Sequence, residues 1–367
     1  MQGRLAPAGR GYRGRAKPTP GPQAFPLTTP TLLRIDLRAI AANWHVLRER
    51  HAGGAVAAVL KADGYGLGAA PVGRVLCEAG CRHFFTAHVV EAVALRMALG
   101  DGPMVAALNG FMPGEAPADI WPVVNTVEAA RAHAGRGPVL LHVDTGMSRL
   151  GLDVAELADL PSGLDIRFVM THLACADQPA HPLNAAQLQR FRAVSAALPE
   201  VPTSLANSSG IFLGADFASG LARPGAALFG INPQPGQPNP MRQVFRLEAP
   251  ILQLRDVAAG VSVGYGATWV APRASRIAVV QAGYADGYLR ALSNHGLGIL
   301  AGQPVPVVGR VSMDLTAFDV TGVPAVLGEM LTLIGPDNPP DLLAERAGTI
   351  GYELLTSLGS RYRRIYS

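Results

Sequence analysis

The chain is 367 residues long, 49% hydrophobic and only 16% charged. That length can bury one large core and carry a second domain, and that balance excludes a disordered chain. No stretch is apolar for long enough to span a membrane, and the N-terminus lacks the apolar core of a signal peptide.

The formal charge is +4, but the excess sits at one end. Residues 1–30 hold Arg4, Arg10, Arg13, Arg15 and Lys17 and no acid. Setting these five aside from the 31 basic residues leaves 26 against 27 acidic ones, a net of −1. The segment is rich in Gly and Pro, and it reads as a disordered tail. It has no aromatic interleaving or groove-reading element, so no specific nucleic-acid partner is expected. Three cysteines, Cys77, Cys81 and Cys175, form no disulfide framework, and a cytoplasmic location is expected. The nine histidines show no metal-ligand spacing, so no metal is expected.

The ordered chain starts near Thr31. TLLRIDLRAIAANWHVLRER passes from a strand pattern into a helix, with Asp36 near the helix start. AVAAVLKADGYGLG follows at 55–68. Its uninterrupted apolar run fits a strand buried on both faces, as in a parallel sheet, and the run ends at Lys61. Further strand-like runs lie at 83–87, 103–108, 120–124, 138–143, 166–171, 202–206 and 225–230. Helix-like segments at 70–79, 90–98, 127–134, 153–159 and 184–198 separate most of them. Strands alternating with helices in this way predict an α/β chain with a (β/α)8 barrel over residues 31–240. Polar residues close the runs: Lys61, Asn109, Asn125, Asp144 with Arg149, His172, Asn207 with Ser208, and Arg223. In a barrel these ends converge on one face. After the turn-rich GINPQPGQPNP, the segments become short and Gly-spaced, with a short helix near 339–347. Residues 241–367 therefore read as a mostly-β second domain.

Lys61 stands out by composition. Only two of the 31 basic residues are lysine, and the other, Lys17, lies in the tail. Arginine replaces lysine as a surface charge, but its guanidinium stays protonated and forms no imine with an aldehyde. One lysine kept at a strand end in an arginine-rich body points to Schiff-base chemistry. A buried lysine with no chemical role is the alternative that the local pattern leaves open.

The motifs, taken together, carry a resemblance. AVLKADGYGLG at 58–68 is followed by HVDTGMSRLG at 142–151, THLACAD at 171–177, NSSG at 207–210 and RPGAALFG at 223–230. The second domain adds VGYGATW at 263–269, AGYADGYLR at 282–290 and VGRVSMDLTAFDV at 308–320. In this order they resemble the alanine racemase family, the pyridoxal-phosphate-dependent type with a barrel and a β-domain. The resemblance spans essentially everything after residue 30.

The resemblance implies pyridoxal 5'-phosphate bound through Lys61, and interconversion of L- and D-alanine that supplies or consumes D-alanine. Lys61 would move the α-proton at one face of the substrate and Tyr265 at the other. Tyr265 would come from the partner subunit, which makes a homodimer with shared sites, and His172 would hydrogen-bond it. Arg223 would face the pyridine nitrogen. Tyr65, Asn207, Ser208 and the backbone of Gly225 and Ala226 would hold the cofactor and its phosphate. The family's C-terminal phosphate tyrosine falls, by direct register, at Ser360, with Tyr362 two residues further on. Arg149 would reach the cofactor's phenolic oxygen or the substrate carboxylate. Met313 would offer its N–H to that carboxylate, with Asp314 beside it and Tyr284 and Arg290 at the entrance. Many relatives carry a carbamylated lysine seven residues before this arginine; here the position is His142, so another acceptor must orient Arg149. A broad-specificity amino-acid racemase is the near alternative. Arg223 argues against a decarboxylase, and the second domain against a non-enzymatic, single-barrel pyridoxal-phosphate-binding protein.

Overall fold

The computed structural model describes residues 30–367. The tail expected at 1–30 thus lies, but for Pro30, outside the described residues. Parallel strands at Ala58–Val59, His83–Thr86, Met104–Ala107, Ile120–Val124, Pro138–His142, Asp165–Met170 and Thr203–Ser204 pair in chain order. The first strand is continued backwards by Ala55–Val56, which pairs in parallel with Leu221–Ala222. At the remaining seam the Ser204 hydroxyl donates to Leu221 O, and Arg223 N–H to Ala206 O, at 2.7 Å each. The eight strands thus close into a barrel.

The continuous apolar runs have a direct cause. Ala57, Val59, Phe85, Ala106, Val123, Leu140 and Leu221 pack together inside the barrel. Their neighbours Ala58, Leu60, Phe84 and Val105 belong to the core on the outside, under the helices. Where both faces of a strand are buried, both must be apolar, whereas Asp165–Met170 keeps Arg167 exposed and opens on the polar Asp165. Helices enter at polar caps. The Asp36 carboxylate accepts from Ala39 N–H at 2.9 Å, and the Thr126 hydroxyl from Ala129 N–H at 3.2 Å.

Two expected elements come out differently. The run at 225–230 is no strand: the eighth strand is Leu221–Ala222, and Ala226–Phe229 is a 3-10 turn. Pro224 has no N–H to give a ladder, and Gly230, at φ 84°, ends the turn in the left-handed region. The turn's side chains are fully buried, so its composition mimics a strand. The helix expected at 153–159 is likewise a 3-10 stretch, Val154–Asp159.

The second sheet is built around Phe245–Val257, which pairs antiparallel with Met330–Ile334 and Ser275–Val280. Leu32–Ile35 also joins it, antiparallel, and Arg363–Tyr366 lies parallel on that strand's other side. The unit expected over 31–240 therefore gives its first strand to the second sheet. Leu33 and Ile35 are fully buried there, in one apolar core that continues through Leu247 to Phe84 under the barrel helices. Among the described residues no helix is long and apolar enough to cross a membrane.

Candidate active site

The C-terminal ends of the barrel strands open into a cavity of about 820 Å³. Lys61 lines it from the first strand. The chain then turns through four left-handed residues, Ala62 (φ 53°), Asp63 (51°), Gly64 (61°) and Tyr65 (54°). Each non-glycine residue held there costs on the order of 1–3 kcal/mol, so the surroundings must impose the shape. Asp63 Oδ1 accepts from Ala69 N–H at 2.8 Å, and Glu91 Oε1 from Ala62 N–H at 2.6 Å. The tight turn brings both Lys61 and Tyr65 onto the cavity wall. Burial pushes the Lys61 amine below its ordinary pKa, the Arg149 charge adds to this, and Glu91 opposes it.

Across the cavity lies Arg223, 3% exposed. Its guanidinium donates to Ser204 Oγ and to Thr171 O at 2.6 Å, both neutral oxygens. Burial lowers its pKa to about 10, which still leaves a cation at neutral pH. His172 lines the same wall. Burial, followed by the charges of Arg223 and Arg149, holds its pKa well below the usual histidine value, so the ring is neutral.

Asp144 sets the loop that carries Arg149. Its Oδ1 accepts from Gly146 and Met147 N–H at 2.8 Å, and its Oδ2 from Ser148 N–H at 2.7 Å. Arg149 itself is exposed and reaches over the cavity. His142 is buried beneath it. The Asn125 amide donates to Leu108 O and Val123 O at 3.1 and 3.0 Å, so its Oδ1 accepts from His142 Nδ1–H at 2.8 Å. That network assigns the proton to Nδ1 and leaves Nε2 as a bare acceptor at the cavity.

Ser208, Gly225 and Ala226 close the far end, beside Asn207. Ser208 Oγ accepts from Gly225 and Ala227 N–H at 3.0 and 3.2 Å, which leaves its own proton to donate. A Cβ at Gly225 would collide with the Tyr65 hydroxyl. Burial raises the Tyr65 pKa, so the phenol stays protonated and also donates.

A model of the alanine racemase N-terminal domain matches residues 35–233, and one of the alanine racemase C-terminal domain matches residues 244–366. The chain belongs to the alanine racemase family. An alanine racemase of Acidiphilium cryptum (strain JF-5) is 51% identical to it over 350 residues, covering 91% of this chain and 98% of that protein. One from Rhodospirillum rubrum is 49% identical over 358 residues, with 91% and 95% covered. The crystal structure of alanine racemase from Bartonella henselae with covalently bound pyridoxal phosphate is similar with a TM-score of 0.87 at 39% identity, covering 93% of this chain and all of that one (100%).

The C-terminal contact is not at the register expected from the sequence. Neither Ser360, which is exposed, nor Tyr362, which is buried with an unpaired hydroxyl, lines the cavity. Tyr352, Glu353 and Thr356 of the helix Gly351–Ser357 line it instead. Ser360 and Tyr362 lie beyond the end of this helix, and only its one face borders the cavity. Burial, with Asp177 and Asp341 nearby, raises the Tyr352 pKa and keeps it a donor.

The second-domain residues stand apart from this cavity. Tyr265 is 72% exposed and Met313 53%, and Tyr284 and Arg290 are also exposed. Tyr284 and Ala285 donate their N–H groups to Ser312 O and Met313 O at 3.0 Å, which fixes Tyr284 beside Met313. The Asp314 carboxylate is committed to Arg361 at 2.7 Å. None of these residues lines the cavity of its own chain.

Proposed function

We propose that this chain interconverts L-alanine and D-alanine with pyridoxal phosphate as cofactor. The observation that carries the reading is Lys61. It is the only lysine after residue 30, and it faces a cavity that carries uncharged donors suited to a phosphate, in a chain of this family.

The residues fit the cofactor. Lys61 is the one side-chain amine in the cavity that can hold its aldehyde. Ser208, Tyr65, Tyr352 and the N–H of Ala226 suit a phosphate, because they donate without titrating; the N–H of Gly225 instead holds Ser208 Oγ, so that the serine's own proton is free to donate. Asn207 borders this cradle. Arg223 would stand at the ring nitrogen, and its fixed charge would disfavour protonation there by like-charge repulsion. Arg149 takes the phenolic oxygen or the substrate carboxylate.

When bound, pyridoxal phosphate supplies a conjugated ring that takes up the electron pair left at the α-carbon. Lys61 moves the proton at one face, and its lowered pKa supports the neutral amine this needs. Tyr265 of a second copy of the chain moves the proton at the opposite face. His172, kept uncharged, accepts from that tyrosine's hydroxyl. The second copy also brings Met313, whose N–H meets the substrate carboxylate, with Asp314, Tyr284 and Arg290 around the entrance. The exposure of Tyr265 and Met313 in one chain supports this homodimer with shared sites.

The test is direct. Supplied with pyridoxal phosphate and L-alanine alone, the protein should bring the mixture to equal enantiomers, read by chiral chromatography. D-alanine alone should converge to the same point. Borohydride should trap the cofactor on Lys61. Trapping on Lys17, or faster turnover of a basic amino acid than of alanine, would refute the assignment.

A further inference from the structure

Glu91 is the third residue of the helix Val89–Leu99, where a carboxylate ordinarily caps the helix start. One of its oxygens does that: Oε2 accepts from Ala87 and His88 N–H at 2.9 and 3.1 Å. The other leaves the helix. Oε1 accepts from Ala62 N–H at 2.6 Å, across 29 residues of sequence. Glu156 shows what a cap alone looks like, since its bond at 2.7 Å goes to the N–H of Asp153, the cap residue of its own 3-10 turn.

The partner of that second oxygen is the first residue after Lys61, and it sits at φ 53°. Three non-glycine residues in this turn have left-handed φ, a conformation that relaxes when nothing outside it holds the backbone. We propose that Glu91 is a positioning residue for the cofactor amine, tying the turn that carries Lys61 to the end of the second barrel strand. This rests on reading Lys61 as the cofactor-bearing residue. Electrostatics support it independently: the charged groups acting on Lys61 are Arg149, which lowers its pKa, and Glu91, which raises it, with His172 also within reach.

The chain makes the test clean, because only Lys17, Lys61 and the N-terminal amine can be acylated as amines. Full-length wild type, Glu91→Gln and Glu156→Gln would be compared. In the cofactor-loaded protein, hydrogen exchange at the 61–66 turn should quicken about tenfold in Glu91→Gln, the usual scale for losing a charge-assisted bond. In the cofactor-free chain, acylation of Lys61 against pH should give a lower apparent pKa in Glu91→Gln. Glu156→Gln should move neither readout. The proposal is overturned if Glu91→Gln leaves both unchanged, or if Glu156→Gln shifts Lys61 as much, which would reduce Glu91 to a helix cap. Should Glu91→Gln fail to fold, Glu91→Asp is one methylene too short to span both anchors and should still quicken exchange at Ala62; unchanged exchange there also overturns it. Neither measurement needs alanine turnover, so its failure and failure of the racemase reading are separable.

Discussion

His142 is a buried histidine whose ring proton is already spoken for by Asn125. Burial, then the charge of Arg223, lowers its pKa from 6.5 to about 4 in the folded chain. The unfolded chain therefore takes up a proton below pH 6.5 that the folded chain refuses. Stability is complete above that pH, falls as the pH drops toward 4, and then levels. Between pH 7 and pH 5 this residue should remove about 2 kcal/mol. His142→Asn should flatten the slope by about that amount in urea unfolding of the cofactor-free chain. His172 acts in the same direction, so the difference between wild type and variant isolates His142. An unchanged slope would show that the ring is charged in the fold. At this scale Lys61 was legible because composition isolated it: arginine stands everywhere that charge alone is needed. Tyr352 was not, since a tyrosine at a helix start is an ordinary surface or core residue until the helix is seen to face the cradle.

The turn after Lys61 is the element on which the site depends. Ala62 is exposed, so what a substitution does there reports backbone shape and not packing. Ala62→Gly should be tolerated or slightly stabilising, because glycine enters the left-handed region without a Cβ penalty. Ala62→Val should cost about 2 kcal/mol, since a β-branched side chain is a genuine outlier there. Thermal unfolding of the two variants checks this, and equal effects would mean that the turn relaxes freely. The barrel strands were legible because burial on both faces leaves an unbroken apolar run. The same signal misled at 225–230, where a turn wedged between Asn43 and the barrel is buried just as fully; the Asn43 amide donates to Leu228 O at 3.1 Å. Composition records burial, and only the flanking Pro224 and Gly225 hinted that the backbone was not extended.

Over the whole molecule, the residues assigned to one reaction lie in two places, a barrel cavity and an exposed face of the β-domain. A Lys61→Ala chain and a Tyr265→Phe chain should each be inactive alone. After subunit exchange, one site of the mixed dimer would regain both wild-type residues, and alanine racemisation should reappear at up to about half of the wild-type activity per mixed dimer. No recovery despite confirmed exchange would refute the shared site. The two-domain division was visible in the change of texture near residue 240. The exchange of the first strand was not, because four residues, Leu32–Ile35, look the same whichever sheet they enter. That strand has a consequence for how the chain is made. Synthesis runs from the amino end at about 5–20 residues per second, and the barrel's own strands are complete once Leu221–Ala222 has emerged. Leu32–Ile35 must then wait, its edge open, for Phe245–Val257 to arrive, and its second edge stays bare until Arg363–Tyr366 is released. Among the described residues the first-made strand is thus among the last to be covered, so a nascent chain stalled between these points would present an unpaired strand to whatever binds one, chaperone or sister polypeptide alike.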